Sequence, residues 1–346
     1  MSPPANDAPR RLKVGRRGFI GLGLGFASGC GALDCGCGVA MAVSRGDVGS
    51  QQVNPPPGGK GYAVSEIGGG LYWVTDGGYN TMFAVTTDGV IACDAPPSLG
   101  ANYLKAIAEV TTKPVTHLIY SHEHIDHIAG AGVFPKGIEI IANRHTANLL
   151  ASRADARRLP PTRVFDDAYT LSVGGQTLQL SYRGINHCLD NTFIYAPRQR
   201  VLMLIDVIYP GWMPYKNLGV AVDVPGFVEA HGQALTFDFE TLVAGHVSRL
   251  GTRKDVELQL AFLKDLSDAC ERAYVALTFP SFLEGHAGKG TSWDLHNDYE
   301  AALVDRVAAD VGPHWRGRLQ GFDTYFRDNC WAMLESFVVQ GKPRFG

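Results

Sequence analysis

Three apolar runs in this chain stop at side chains suited to metal, and that restricts the fold more than anything else in the sequence. His117-Leu-Ile-Tyr120 runs into Ser121-His-Glu-His-Ile-Asp-His127, Val201-Leu-Met-Leu-Ile205 ends at Asp206, and Leu242-Val-Ala-Gly245 ends at His246. Short apolar runs bounded by turn residues read as buried strands, and strand ends are where a sheet presents side chains to a shared crevice. A fourth donor, His187, lies in Gly184-Ile-Asn-His-Cys-Leu-Asp-Asn191, just before an apolar run at Thr192. Imidazoles and carboxylates in such places need partners, and a divalent cation supplies them. Within the seven-residue motif, His122 and His124 can address one ion from a tight turn, while Asp126 and His127 can address a second. A donor set of N and O atoms without thiolate puts zinc first, with iron or manganese as alternatives.

The rest of the chain supplies a frame for that crevice. β-like runs at Leu71–Thr75, Thr81–Thr86 and Val90–Cys93, separated by Gly-Gly and Asp-Gly turns, predict a meander of hairpins. Helical spacing follows over 98–110. Strand runs at 115–120, 138–142, 178–182, 192–195, 201–205 and 241–244 then alternate with a helix over 144–153 and a Pro/Gly/aromatic loop over 210–235. From Lys254 onward the pattern is helical, with Leu258, Phe262, Leu263 and Leu266 on one face. Two mixed sheets with helices outside them is the natural packing.

Residues 1–42 read as an export signal. Arg10, Arg11, Lys13, Arg16 and Arg17 precede a Gly-rich, mildly apolar run from Gly18 to Ala42, and Gly15-Arg16-Arg17-Gly18-Phe19-Ile20 resembles a twin-arginine signal. A spanning helix needs about 20 strongly apolar residues, and eight glycines and Asp34 interrupt this run, so no permanent membrane span is expected. Ala40-Met41-Ala42 suits cleavage, with a lipoprotein-like box at Ala27-Ser28-Gly29-Cys30 as the competing route. The expected partner is the twin-arginine export machinery, and the expected location is the periplasm or outside the cell. Residues 43–60 are expected to form a polar Pro/Gly linker, 61–275 the domain that holds the donors and 276–346 a helical extension. Of 31 basic and 34 acidic residues, 5 and 2 lie in the leader, leaving 26 and 32, a net of −6 without a basic run. A nucleic-acid partner is therefore not expected. The remaining cysteines, Cys93, Cys188, Cys270 and Cys330, lack the spacing of a disulfide framework or zinc knuckle.

The ordered set His122-x-His124-x-Asp126-His127, His187, Asp206 and His246 resembles the metallo-β-lactamase superfamily. The resemblance implies an α+β fold, the αβ/βα four-layer sandwich, followed here by C-terminal helices. It implies two ions: His122, His124 and His187 on the first, Asp126, His127 and His246 on the second, and Asp206 bridging. Gly89-Val-Ile-Ala-Cys-Asp94 resembles the family's N-terminal strand ending in a structural aspartate. Aspartate at 206 is as in glyoxalase-II-like and lactonase members, and Asp206-Val-Ile-Tyr209 resembles the lactonase arrangement in which a tyrosine points at the substrate.

The function expected is that of a dinuclear zinc hydrolase, in which metal-bound hydroxide attacks a small ester, lactone or amide, β-lactams included. Asp126 would orient the nucleophile, and Tyr209 would donate to the oxyanion or leaving group. Trp212, Met213, Tyr215 and Phe227 are candidates for an apolar substrate wall. Alternatives are hydrolytic dehalogenation of an activated aromatic ring, a mononuclear iron sulfur dioxygenase, and a non-catalytic exported metal-binding protein. Substrate and oligomeric state are left open by the sequence.

Overall fold

The computed structural model describes residues 59–247, 249–286 and 288–345. The twin-arginine-like leader, Cys30 and the linker as far as residue 58 lie outside the described residues. Among the described residues thirteen strands form two sheets. The first runs β1 (Ala63–Gly68), β2 (Leu71–Thr75), β3 (Asn80–Val85), β4 (Val90–Cys93), β5 (Val115–Ile119), β6 (Glu139–Asn143) and β7 (Arg163–Phe165) in spatial order. Its first four strands are the antiparallel meander, and β4 to β7 are parallel. The second holds β8 (Ala168–Val173), β9 (Gln176–Tyr182), β10 (Thr192–Ala196), β11 (Val201–Met203), β12 (Thr241–Val243) and β13 (Gly251–Thr252), with β11 and β12 its parallel pair.

The parallel strands show why the apolar runs are continuous there. Every residue of β4 and β11 is buried, because both faces of those strands are covered. β9, by contrast, alternates, with Gln176, Leu178 and Leu180 buried and Gln179 exposed. One core lies between the sheets, where Trp73, Met82, Ile91 and Ile119 of the first meet Leu180, Ile194, Met203 and Val243 of the second. The outer face of the first sheet is covered by α1 (Ala101–Val110), through Tyr103, Ala106 and Ile107. The order is helix, sheet, sheet, helix, as the four-layer sandwich requires.

The outer layer on the second sheet is larger. α5 (Val224–Leu235), α6 (Arg253–Ala276), α8 (Ser292–Trp315) and α9 (Phe322–Val339) bury Phe227, Phe262, Leu266, Leu303, Trp315 and Met333 in one core with Phe193 and Leu202 of the sheet. Each such Leu or Phe contributes roughly 1.5–3 kcal/mol. Local chemistry fixes the helix starts. Asp223 caps α5 by accepting from the Gly226 amide, and Thr252 with Asp255 forms a reciprocal capping box on α6. Among the described residues no helix is long and apolar enough to cross a membrane.

α9 also holds the loop over 211–224 that follows β11. Buried Asn329 accepts from the Leu218 amide (2.7 Å) and donates to the Pro214 carbonyl (2.9 Å). Gln340 accepts from Val224 N and donates to Val222 O. Just before α9, Gln320 exchanges backbone bonds with Gly211 and Met213. Inside this loop α4 (Lys216–Val220) is a short turn in which Asn217, Leu218 and Gly219 all adopt left-handed angles. Two such non-glycine residues in succession are costly, and the bonds from Asn329 are what hold them.

Candidate metal centre

The parallel pair β4 and β5 and the parallel pair β11 and β12 end at the same edge of the sandwich, and the donors gather there. β5 leads through Ser121 and His122 into the short helix α2 (Ile125–Ile128), which presents Asp126 and His127. Asp206 follows β11 with a left-handed φ of 61°, turning its carboxylate back across the sheet ends. His246 follows β12, and the turn before β3 bridges to it through Tyr79. Gly245 lets these strands converge. A Cβ there would collide with Asp206 Oδ1 and sit 3.0 Å from the His127 ring.

Two sets of ligand atoms result, His122, His124, His187 and Asp206 in one and Asp126, His127 and His246 in the other, with all atoms of each set within 4.8 Å of one another. His124 Nδ1 lies 3.1 Å from His187 Nε2. Asp206 Oδ2 lies 3.3 Å from His187 Nε2, 3.7 Å from His122 Nε2 and 3.0 Å from His127 Nε2, while Asp206 Oδ1 lies 3.3 Å from His246 Nε2. Asp126 Oδ2 lies 3.5 Å from His127 Nε2 and 3.8 Å from His246 Nε2. Four ligands at about 2.0–2.1 Å from a tetrahedral ion stand about 3.3 Å apart, so these spacings suit metal coordination. The buried atoms His122 Nε2, both ring nitrogens of His127, and Asp206 Oδ1 have no hydrogen-bond partner in the protein. Orphaned polar atoms in a dry interior are expensive. Divalent cations would satisfy His122 Nε2, Asp206 Oδ1 and one ring nitrogen of His127, so the residues present fit the group.

The surroundings set the ligands' protonation states. His187 donates from Nδ1 to the Gly219 carbonyl (2.7 Å), which leaves its Nε2 lone pair for an ion. Gly219 is irreplaceable in that role, because its φ is 73° and a Cβ would stand 2.8 Å from the Tyr209 hydroxyl. Ser121 Oγ donates to Asp94 Oδ2 (2.7 Å) and therefore accepts from His122 Nδ1 (2.9 Å), which frees His122 Nε2 in the same way. Asp94, the structural aspartate expected after β4, also accepts from the Ser121 amide. Burial pushes His187 down to about 4, against the pull of Asp206, and pushes His122 down as well, reinforced by His124 and His127. Both are neutral imidazoles at neutral pH, as ligands must be. Burial alone would raise Asp206, but His127, His187 and His246 together hold it well below the usual carboxylate range. Glu123, in the middle of the motif, faces away and is buried against Arg153 (2.9 Å) and Arg158, which anchors the turn.

A model of the metallo-beta-lactamase superfamily matches residues 74–246. The chain belongs to that superfamily. Among curated relatives, 2,4-dinitroanisole O-demethylase subunit alpha of Nocardioides sp. (strain JS1661) is 31% identical over 209 residues, 59% of this chain and 62% of that one. Metallo-beta-lactamase type 2 of Bacteroides fragilis is 37% identical over 90 residues, 25% of this chain and 34% of that one. The chain thus spans less than two thirds of the length of either. Among solved structures, a metallo-beta-lactamase from Pontibacter korlensis aligns over 58% of this chain and 97% of its own, at 21% identity and a TM-score of 0.49.

Above the superfamily's metal edge opens a cavity of about 690 Å³, floored by His124, Asp126, His187, Asp206 and His246. Of the expected wall residues, Trp212, Met213 and Tyr215 line it, and so does Tyr209. The Tyr209 hydroxyl makes only a long contact, 3.4 Å, with the Asp206 carbonyl. Phe227 does not line the cavity: it lies on the inward face of α5 with Val224, Val228 and His231, fully buried in the core. Two aromatic wall residues, Tyr79 and Tyr325, had no signal of this role in the sequence. Tyr79, after the Gly77-Gly78 turn, packs its ring 4.6 Å from that of His246 and donates to Asp126 Oδ2 (3.4 Å). Burial and Asp126 push its phenol up to about 12, so it keeps its proton. Tyr325 arrives from α9. Cys188, beside His187, is buried, which pushes its thiol well up and removes it as a nucleophile.

Proposed function

We propose that the chain is a dinuclear zinc hydrolase acting on a small ester, lactone or amide. The observation that carries this reading is the position of Asp206, whose two oxygens face histidines of both ligand sets. Bound divalent zinc at these donors would bring the pKa of a coordinated water near neutrality and polarise the group under attack. The protein's own residues then orient and donate. Asp126, which the Tyr79 hydroxyl contacts at 3.4 Å, would accept the proton of the attacking water. Tyr209 lines the cavity with its hydroxyl held only at 3.4 Å, so that proton can turn to an oxyanion or leaving oxygen. Purified chain loaded with zinc should hold two ions and hydrolyse members of a panel of aryl esters, lactones and β-lactams. One iron with oxygenase activity, or retention of every activity by Asp126→Ala, would refute the assignment.

A second reading is favoured by the relative named 2,4-dinitroanisole O-demethylase. Attack of hydroxide on an activated ring carbon, with departure of methoxide or halide from the same carbon, needs the same site. Release of 2,4-dinitrophenolate from 2,4-dinitroanisole and from 2,4-dinitrochlorobenzene would distinguish ring substitution from acyl hydrolysis. Export through the twin-arginine route is supported by Gly15-Arg16-Arg17-Gly18-Phe19-Ile20. N-terminal sequencing of the protein recovered outside the cytoplasm tests it, with residue 43 the expected start.

A further inference from the structure

The part of the cavity remote from the ligand edge has a chemical character that the metal site does not dictate. Trp212, Tyr215 and Tyr325 form one continuous aromatic wall. The rings of Tyr215 and Tyr325 lie 5.1 Å apart, and a Cβ at Gly321 would touch the rings of both Trp212 and Tyr325. Met213, Val220 and Val247 extend the apolar surface. Among the described residues that line the cavity there is no lysine or arginine. Of the basic residues flanking the site, Arg249 pairs with Asp255 and Arg153 and Arg158 pair with Glu123, while Lys216 is exposed, 3.9 Å from Asp328, and is not part of the cavity lining. A substrate bearing an anion away from the reacting bond would surrender its hydration there without gaining an ion pair. An uncharged ring would bury its faces against the wall, and stacking on aromatic groups adds to what burial alone contributes.

We propose that this cavity selects uncharged aromatic substrates, with Tyr325 of α9 as a specificity-determining residue, and disfavours substrates carrying a carboxylate or sulfonate remote from the reacting bond. The selection rests on the hydrolase reading for its use but not for its measurement. Tyr325 lies outside the segment matched to the superfamily, 74–246, so its ring is a contribution of the C-terminal helices to a wall that Trp212 and Tyr215 begin.

The test is calorimetric binding to the zinc-loaded full chain of two ligands of nearly equal shape, neither of them an ester or lactone and each carrying a hydroxamate to occupy the metal edge: 4-(methylsulfonyl)benzohydroxamate, a sulfone uncharged at its far end, and 4-sulfobenzohydroxamate, a sulfonate anionic there. The sulfone should bind at least tenfold more tightly. Tyr325→Ala should weaken the sulfone at least fivefold with zinc content unchanged, and Tyr325→Phe should restore it. Equal or tighter binding of the sulfonate, or sulfone binding indifferent to Tyr325→Ala, overturns the proposal. Turnover is scored separately on 4-acetoxybenzamide and 4-acetoxybenzoate. Failure to hydrolyse either refutes the hydrolase reading while the calorimetry still decides the selection, and faster turnover of the benzoate overturns the selection while sustaining the hydrolase.

Discussion

Replacing Asn329 by alanine should weaken metal binding at His187 from the far side of the pocket loop. Asn329 is fully buried, and its amide spans Leu218 N and Pro214 O, both in the loop that carries Gly219. Truncation strands one donor and one acceptor, each worth about 1–3 kcal/mol when left unpaired in the interior. Water entering the vacated space would recover part of that, so a loss of about 2–5 kcal/mol is expected, read as a lowered urea midpoint at unchanged slope. The left-handed turn at Asn217 and Leu218 then relaxes, and the Gly219 carbonyl moves away from His187 Nδ1. Loss of such an outer partner typically lowers metal affinity 10–100-fold, which competition with a chelator measures. Asn329→Asp keeps an acceptor for Leu218 N but sets oxygen against the Pro214 carbonyl, so it should recover at most half of the stability. A stability loss below about 1 kcal/mol, or a normal loss with unaltered metal affinity, would refute the chain of contacts from α9 to His187.

Other expectations follow from the same contacts. Ser121→Ala breaks the path from Asp94 to His122 Nδ1 and should lower affinity for one ion about 10–100-fold, seen as a second, weaker step in zinc titration. Gly245→Ala replaces no ligand yet drives a methyl into Asp206 and His127, and metal analysis should find the bound metal reduced or lost. Tyr79→Phe leaves Asp126 without its phenol partner, and kcat should fall several-fold with KM little changed. Burial pushes His231 down to about 4, so the unfolded chain protonates first, near its ordinary 6.5. The His231 contribution is then flat above pH 6.5 and falls toward pH 4 by on the order of 3 kcal/mol, and the urea midpoints of His231→Gln should show a shallower acid loss than wild type.

The metal edge was legible because each donor terminates an apolar run, so the strand pattern and the chemistry could be read from the same letters. Leu71–Thr75, Val90–Cys93 and Arg144–Arg153 coincide with β2, β4 and the helix after β6. The strands without a prediction, β1, β7, β8 and β13, are edge strands or next to an edge, short or half exposed, and their burial is too slight to impose a pattern. Phe227 is a different case. Asp223 as a cap and apolar residues at 224, 227, 228 and 231 carry the spacing of a helix facing a core, and that spacing argues for burial rather than for a pocket wall. Tyr325 and Asn329 act across more than a hundred residues of chain, and nothing local distinguishes them from other residues of an amphipathic helix.

The two sheets divide the donors between them. His122, His124, Asp126 and His127 come after β5, while His187, Asp206 and His246 flank β10, β11 and β12. Neither sheet alone completes a ligand set, so metal capture reports that the halves of the sandwich have docked. An ion held there works as a rivet across the seam: hydrogen exchange in β5 and β11 should slow together when it is added, and a chelator should return both to the faster rate. Zinc supply during synthesis would then govern how soon the chain becomes resistant to proteolysis, independently of any reaction it catalyses.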